Sequence, residues 1–343
     1  MVAQTLLRYP ITQPPSIHAV SRLIAILLAA VALSACGSGD DGGSAPAPPE
    51  PAAARPADFP AAKGKTLKQL TARLEQAAVL NPSSATSQKP GAGNRLGFAI
   101  VDRANKQIDV SEVAVYTARQ NGSGLRGPFA ARKESLDVAS PYRSAQTDSD
   151  LASGKTFYVA EPSYDGSGPH VAVGLVRVGG RLVVADPPMA LNVRAKGGPP
   201  DVGDRAIRVD TLTGADVGGD LKKISTRVPP PAEMLNTNFA DVLGKKPVVL
   251  LFATPALCQS RTCGPVVDIA EQVRAQNGGG VTFIQQEIYQ DNDPNKPLRP
   301  QVSAWHLQTE PWAFVIDRRG RITARFEGVF STGELARAVA RVR

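Results

Sequence analysis

The sequence predicts an all-β, Ig-like sandwich followed by an α/β domain. Three observations carry this. Short β-branched runs without helical periodicity fill residues 95–195. An apolar run, Val248–Phe252, stops at Thr254-Pro255 and is followed by Cys258, Cys263 and Gly264-Pro265. Beyond it, apolar β-like runs alternate with helical patterns, which is the signature of an α/β layer.

In the first part, 96–101, 108–117 and 156–160 read as strands. The clearest signal is 171–186, where two β-branched stretches flank Gly179-Gly180, the pair a two-residue hairpin with positive φ needs. His170 is the only histidine there, and with no second His or Cys beside it a capping or surface role is expected rather than a metal ligand. In the second part the strands are 248–252, 281–284, 313–316 and 322–326. The helices are 266–275, 301–307 and 333–342, with Leu335, Val339 and Val342 on one stripe and Ser331 or Thr332 as cap.

Before the sandwich, Leu67, Leu70 and Leu74 share a helical stripe, so a helix is expected from about residue 66 to 79, within a helix-and-linker segment 63–94. Residues 36–62, rich in Gly, Ala, Pro and Ser, read as a disordered tether. Residues 1–35 read as a signal peptide: Arg22, an apolar stretch over 23–33, then small residues. That stretch is shorter than the roughly twenty apolar residues of a membrane span. Leu33-Ser34-Ala35-Cys36 resembles the lipobox of bacterial lipoproteins. The resemblance implies lipidation of Cys36, a membrane partner through that lipid, and a place on the extracytoplasmic face of the cell membrane, where disulfides persist.

The formal net charge is +8, but Lys and Arg are scattered and only 5% of residues are aromatic. This composition argues against nucleic acid as a partner. Three cysteines exclude a disulfide-dense scaffold.

From residue 202 to 343 the chain resembles the TlpA-like and redoxin thiol–disulfide oxidoreductases of thioredoxin fold. The match rests on Val202-Gly203-Asp204-Arg205-Ala206, on 239–252 and, most specifically, on 310–322, EPWAFVIDRRGRI; residues 210–235 fit poorly. The resemblance implies a thioredoxin-like domain over 196–343 that acts on protein thiols and disulfides without a cofactor. It implies a cis Pro311 facing the cysteines, Cys258 as exposed nucleophile and Cys263 as resolving thiol. Arg261, Glu310 and Trp312 would flank a substrate groove.

The spacing departs from the family's C-x-x-C. On a continuous helix, positions i and i+5 stand about 140° apart and about 7.5 Å along the axis, outside disulfide reach. Gly264-Pro265 instead places the helix start near Pro265, capped by Thr262 or Cys263, and leaves a loop in which the pair can close. Three chemistries stay open: thiol exchange, an inert structural disulfide in a non-catalytic binding lipoprotein, and metal binding. The last resembles the copper-delivering Sco proteins, for which His306 is the candidate third ligand, although no residue set is assigned to a metal. A peroxiredoxin-like peroxidase also uses C-x4-C, but its Thr stands three residues before the reactive Cys, whereas Thr254 stands four before Cys258. Cys263, nearer the helix dipole, competes with Cys258 for the role of nucleophile.

Overall fold

The computed structural model describes residues 48–149, 155–258 and 262–343. The described residues belong to one compact unit. The expected signal segment with Cys36, and also Arg261, lie outside the described residues.

Nine strands form the N-terminal part: β1 (Gln76–Pro82), β2 (Leu96–Val101), β3 (Glu112–Arg119), β4 (Arg126–Ala130), β5 (Arg132–Ser135), β6 (Thr156–Ala160), β7 (Gly168–Val178), β8 (Arg181–Ala185) and β9 (Met189–Val193). Their order is β4-β3-β7-β8-β1-β2-β6-β5, with β9 on β7. β1 pairs antiparallel with β2 and parallel with β8, so it joins what a sandwich keeps as two sheets into one hydrogen-bonded path. The β7–β8 hairpin turns at Gly179 and Gly180, with φ of 54° and 81°, as the sequence requires.

The expected helix over 66–79 is corrected. Only α1 (Leu67–Thr71) is helical, with Thr66 and Gln69 forming a capping box. From Gln76 the chain is a strand. Ala78 and Leu80 are buried, and β1 gains ladders on both edges, which outweighs a two-turn stripe of leucines. Gly174 of β7 makes room for this, since a Cβ there would meet Leu80 Cδ2 at 2.7 Å. Of the expected disordered tether over 36–62, the described part, from residue 48, is corrected: it packs on the fold. Phe59 and Ala62 are buried with Leu70 and Tyr116, and the Tyr116 hydroxyl donates to the Pro60 carbonyl at 2.6 Å. Phe59 supplies the apolar area that composition alone under-weighted.

The C-terminal part contains β10 (Val248–Phe252), β11 (Thr282–Gln286), β12 (Trp312–Ile316) and β13 (Ile322–Glu327) in the order β11-β10-β12-β13. β10 is parallel to β11 and antiparallel to β12, and β13 is antiparallel to β12. Five successive buried residues make β10 apolar on both faces, as expected of a strand between two layers. Val249 and Leu251 face the helices α4 (Cys263–Gln276) and α6 (Thr332–Ala340). Val248, Leu250 and Phe252 face Trp305, just past α5 (Pro300–Ala304), and Phe239 of the short α3 (Phe239–Val242). Ser331 caps α6 in a capping box with Glu334, and Leu335 and Val339 are buried as their stripe predicts.

The two parts share a core. Leu136, Val138, Phe157 and Val159 of the β part pack with residues of β10, α4 and α6. Polar contacts seal the seam: Arg95 pairs with Glu334 at 2.9 Å, and Thr86 and Ser87 donate backbone and side-chain hydrogens to Glu327. Gly328 sits in this seam at φ 71°, and a Cβ there would run into the Ser83 carbonyl.

Candidate functional site

β10 delivers the chain to a buried Thr254, whose carbonyl accepts the Cys258 amide at 3.1 Å and so turns the backbone before α4. Helix α4 begins at Cys263, with Thr262 at its cap and Gly264 and Pro265 in its first turn. The helix therefore starts two residues earlier than Pro265, yet late enough to leave Cys258 in the loop. The two Cα atoms are 5.9 Å apart and the sulfurs form a disulfide, inside the range such a bond needs. The sulfurs differ in access. Cys258 is half-buried, and Cys263 is fully buried at the first position of the helix.

The Glu310–Pro311 peptide is cis, and Pro311 leads into β12 as a buried residue. Glu310, in front of it, is the residue that reaches the sulfurs. Its Oε2 lies 3.5 Å from Cys263 Sγ and accepts the Thr254 amide at 2.9 Å. Burial drives its pKa up to about 7, and the nearby carboxyl of Glu287 adds to the rise, while the Thr254 amide opposes it. Glu287 is buried at the end of β11. Its Oε1 accepts the Thr226 amide at 2.6 Å, the Thr226 hydroxyl at 3.0 Å and Gln285 Nε2 at 3.2 Å. Burial raises its pKa as well. Thr254 stands between the two acids: its amide donates to Glu310 Oε2 and its side chain lowers the pKa of both carboxyls, which places the acids and the sulfurs in one polar cluster.

Sequence reasoning missed Glu287. Its one signal was a polar triplet, Gln285-Gln286-Glu287, closing an otherwise buried strand.

The other expected site residues fall elsewhere. Trp312 is buried, stacks on Phe314 at 5.6 Å and donates from Nε1 to Thr309. It is core, not groove wall, because alternation along β12 points it to the α5 face. His306 is exposed beyond the end of α5 at φ 54° and is not among the donors gathered at the sulfurs. His170 is not a surface residue: it is 2% exposed, with Nε2 2.9 Å from Asp165 Oδ1 and Nδ1 3.0 Å from the Gly168 carbonyl. A satisfied buried imidazole needs no ligand.

Among the described residues, Cys258, Cys263 and Glu310 bring three donor atoms within 4.8 Å of one another. Joined as a disulfide, the sulfurs offer no thiolate to an ion. A carboxylate is also a hard ligand, unlike the soft set Cu(I) prefers.

Cys258 stands at the wall of a cavity of about 990 Å³ between the two parts. Cys258, Thr262 and Glu310 line one side, and Asn81, Gln107 and Phe157 line the other.

No family model matches the chain, and no curated protein matches it. Among solved structures, it is similar to a putative thiol:disulfide interchange protein DsbE from Chlorobium tepidum, at 14% identity and a TM-score of 0.30, over 41% of this chain and 97% of that one. A thioredoxin family thiol:disulfide interchange protein from Chlorobium tepidum TLS matches at 16% identity and a TM-score of 0.29, over 42% of this chain and 98% of that one. The Lin-41 filamin domain matches at 10% identity and a TM-score of 0.20, over 35% of this chain and 95% of that one.

Proposed function

We propose that the chain is a membrane-tethered, extracytoplasmic thiol–disulfide oxidoreductase. Cys258 is the exchanging sulfur and Cys263 the resolving one. The observation that carries this reading is the asymmetry of the pair: an accessible Cys258 at a cavity wall, and a buried Cys263 with a carboxyl 3.5 Å away. A staple needs neither feature. At a sequence separation of 5, a disulfide also removes little chain entropy from the unfolded state.

In the reductive direction, the Cys258 thiolate attacks a substrate disulfide. One substrate sulfur leaves as a thiolate and a mixed disulfide forms. Glu310 then takes the Cys263 proton, and the new thiolate attacks Cys258 Sγ. The second substrate thiol is released and the internal disulfide forms. Two electrons pass from the protein pair to the substrate.

Equilibration of the pair with a thiol buffer is expected to give a potential well above about −300 mV, the range below which disulfides are structural staples. A lower value overturns the exchange reading. The tether belongs to the same proposal and rests on the Leu33-Ser34-Ala35-Cys36 motif. Cys36→Ala is expected to move the protein from the membrane to the soluble fraction, and its retention on membranes would remove the anchor from the proposal.

A further inference from the structure

Residues of both parts of the chain line the cavity beside Cys258, so the site is a partly open cleft with two walls. Leu136, Val138 and Phe157 supply the apolar part of its wall. At about 990 Å³, the cleft is at the top of the range, roughly 300–1,000 Å³, of sites built for small ligands. The loop of a folded protein would have to bring its own bulk past both walls.

The polar groups lining the cleft are mostly committed. Gln146 donates to the Thr226 carbonyl at 2.8 Å and accepts the Val228 amide at 3.1 Å. Lys155 pairs with Asp137 at 2.9 Å. Arg143 differs. Its Nε donates to the Val138 carbonyl at 2.9 Å, but among the described residues its two terminal nitrogens make no hydrogen bond. A guanidinium held by its Nε presents a pre-oriented fork, which suits a carboxylate.

We propose that the substrate drawn to this cleft is a low-molecular-weight thiol or disulfide carrying a carboxylate, of the amino-acid or short-peptide class. Arg143 binds its carboxylate while its sulfur meets Cys258. The inference rests on the exchange reading of the pair. Written for the reduced protein, the small disulfide takes two electrons from Cys258 and Cys263 and leaves as two thiols. The protein pair becomes a disulfide.

The test compares three oxidants of the reduced, full-length protein: glutathione disulfide, bis(2-hydroxyethyl) disulfide, which has no carboxylate, and insulin, a folded protein disulfide. Glutathione disulfide is expected to react fastest. Arg143→Gln is expected to slow that reaction about tenfold, the size of one charge-assisted contact. The same variant is expected to leave the hydroxyethyl reaction unchanged, which also reports that the fold and the cysteines are intact. Arg143→Lys is expected to recover part of the loss. Insulin reacting faster than glutathione disulfide, or Arg143→Gln slowing both small disulfides alike, overturns the inference and leaves the exchange reading standing. Failure of all three oxidants to react overturns both.

Discussion

Replacing Cys258 by Ser is expected to abolish exchange, lowering the rate on the order of a thousandfold or more, as removal of a nucleophile does in covalent catalysis. Cys263→Ser is expected to do the opposite to the intermediate: attack proceeds, resolution does not, and a stable mixed disulfide accumulates on Cys258. The expectation follows from access, not from acidity alone. Cys258 stands in a loop at the cavity wall, and Cys263 is covered at the first position of α4. The helix dipole favours a Cys263 thiolate, but a buried sulfur cannot meet a substrate sulfur in line. In the proposed exchange, the dipole and Glu310 are expected to act at Cys263 in the second step. With its carboxyl titrating at about 7, Glu310 is protonated below that pH and cannot take the Cys263 proton. The rate of resolution is therefore expected to rise with pH through about 7 and then level off. Glu310→Gln is expected to remove that inflection while leaving the first attack at Cys258 intact. Mass spectrometry of quenched reactions reads each species. Adducts forming on Cys263 in the Cys258→Ser variant would reverse the assignment.

How much of this was readable beforehand depended on whether a residue's role was local. β10 and β6 stand where their apolar runs placed them, because a buried strand is its own signal. The Gly179-Gly180 turn and the Ser331 cap were legible for the same reason: each depends on neighbours within four residues. β1 was misread as helix because its strand character comes from β2 and β8, which follow it by many residues. At the site, Cys258, Cys263 and Glu310 were all named from the sequence, and the geometry brings them together. Glu287 was not named, because a carboxylate becomes functional only when the fold buries it beside another. Trp312 was placed in the groove by its position after Pro311, whereas strand alternation sends it to the opposite face. The least legible feature was a buried ion pair, formed by Arg227 and Asp268.

Arg227→Met is expected to destabilise the fold by about 3–5 kcal/mol, the usual cost of stranding one member of a buried ion pair. Arg227 Nε donates to Asp268 Oδ1 at 2.7 Å, with side chains 5% and 0% exposed. The same guanidinium donates to the carbonyls of Pro229 at 2.6 Å and Tyr142 at 2.7 Å. The other carboxylate oxygen, Asp268 Oδ2, accepts from the Ser144 amide and hydroxyl and from the Thr147 hydroxyl, at 2.6–3.0 Å. Three stretches of chain thus meet on one carboxylate: α4, the 227–229 segment and the 142–147 segment. Losing the arginine leaves a buried carboxyl without its counter-charge. Urea titration should show the midpoint falling with an unchanged slope. The double variant Arg227→Met, Asp268→Leu is expected to lose less than the sum of the two single losses, since no charge is left unpaired. By contrast, breaking the exposed pair of Lys296 and Asp291, 48% and 74% exposed, should leave the urea midpoint nearly unchanged. A loss below about 1 kcal/mol for Arg227→Met would mean the pair is solvated in the folded protein. The functional consequence follows from position. Asp268 lies five residues after Cys263 on α4, and the segment it anchors carries Arg143 and Thr147 of the cavity wall. One buried ion pair therefore fixes both the helix that begins at Cys263 and the cavity wall that carries Arg143. Arg227→Met should loosen substrate selection at temperatures where the protein is still folded.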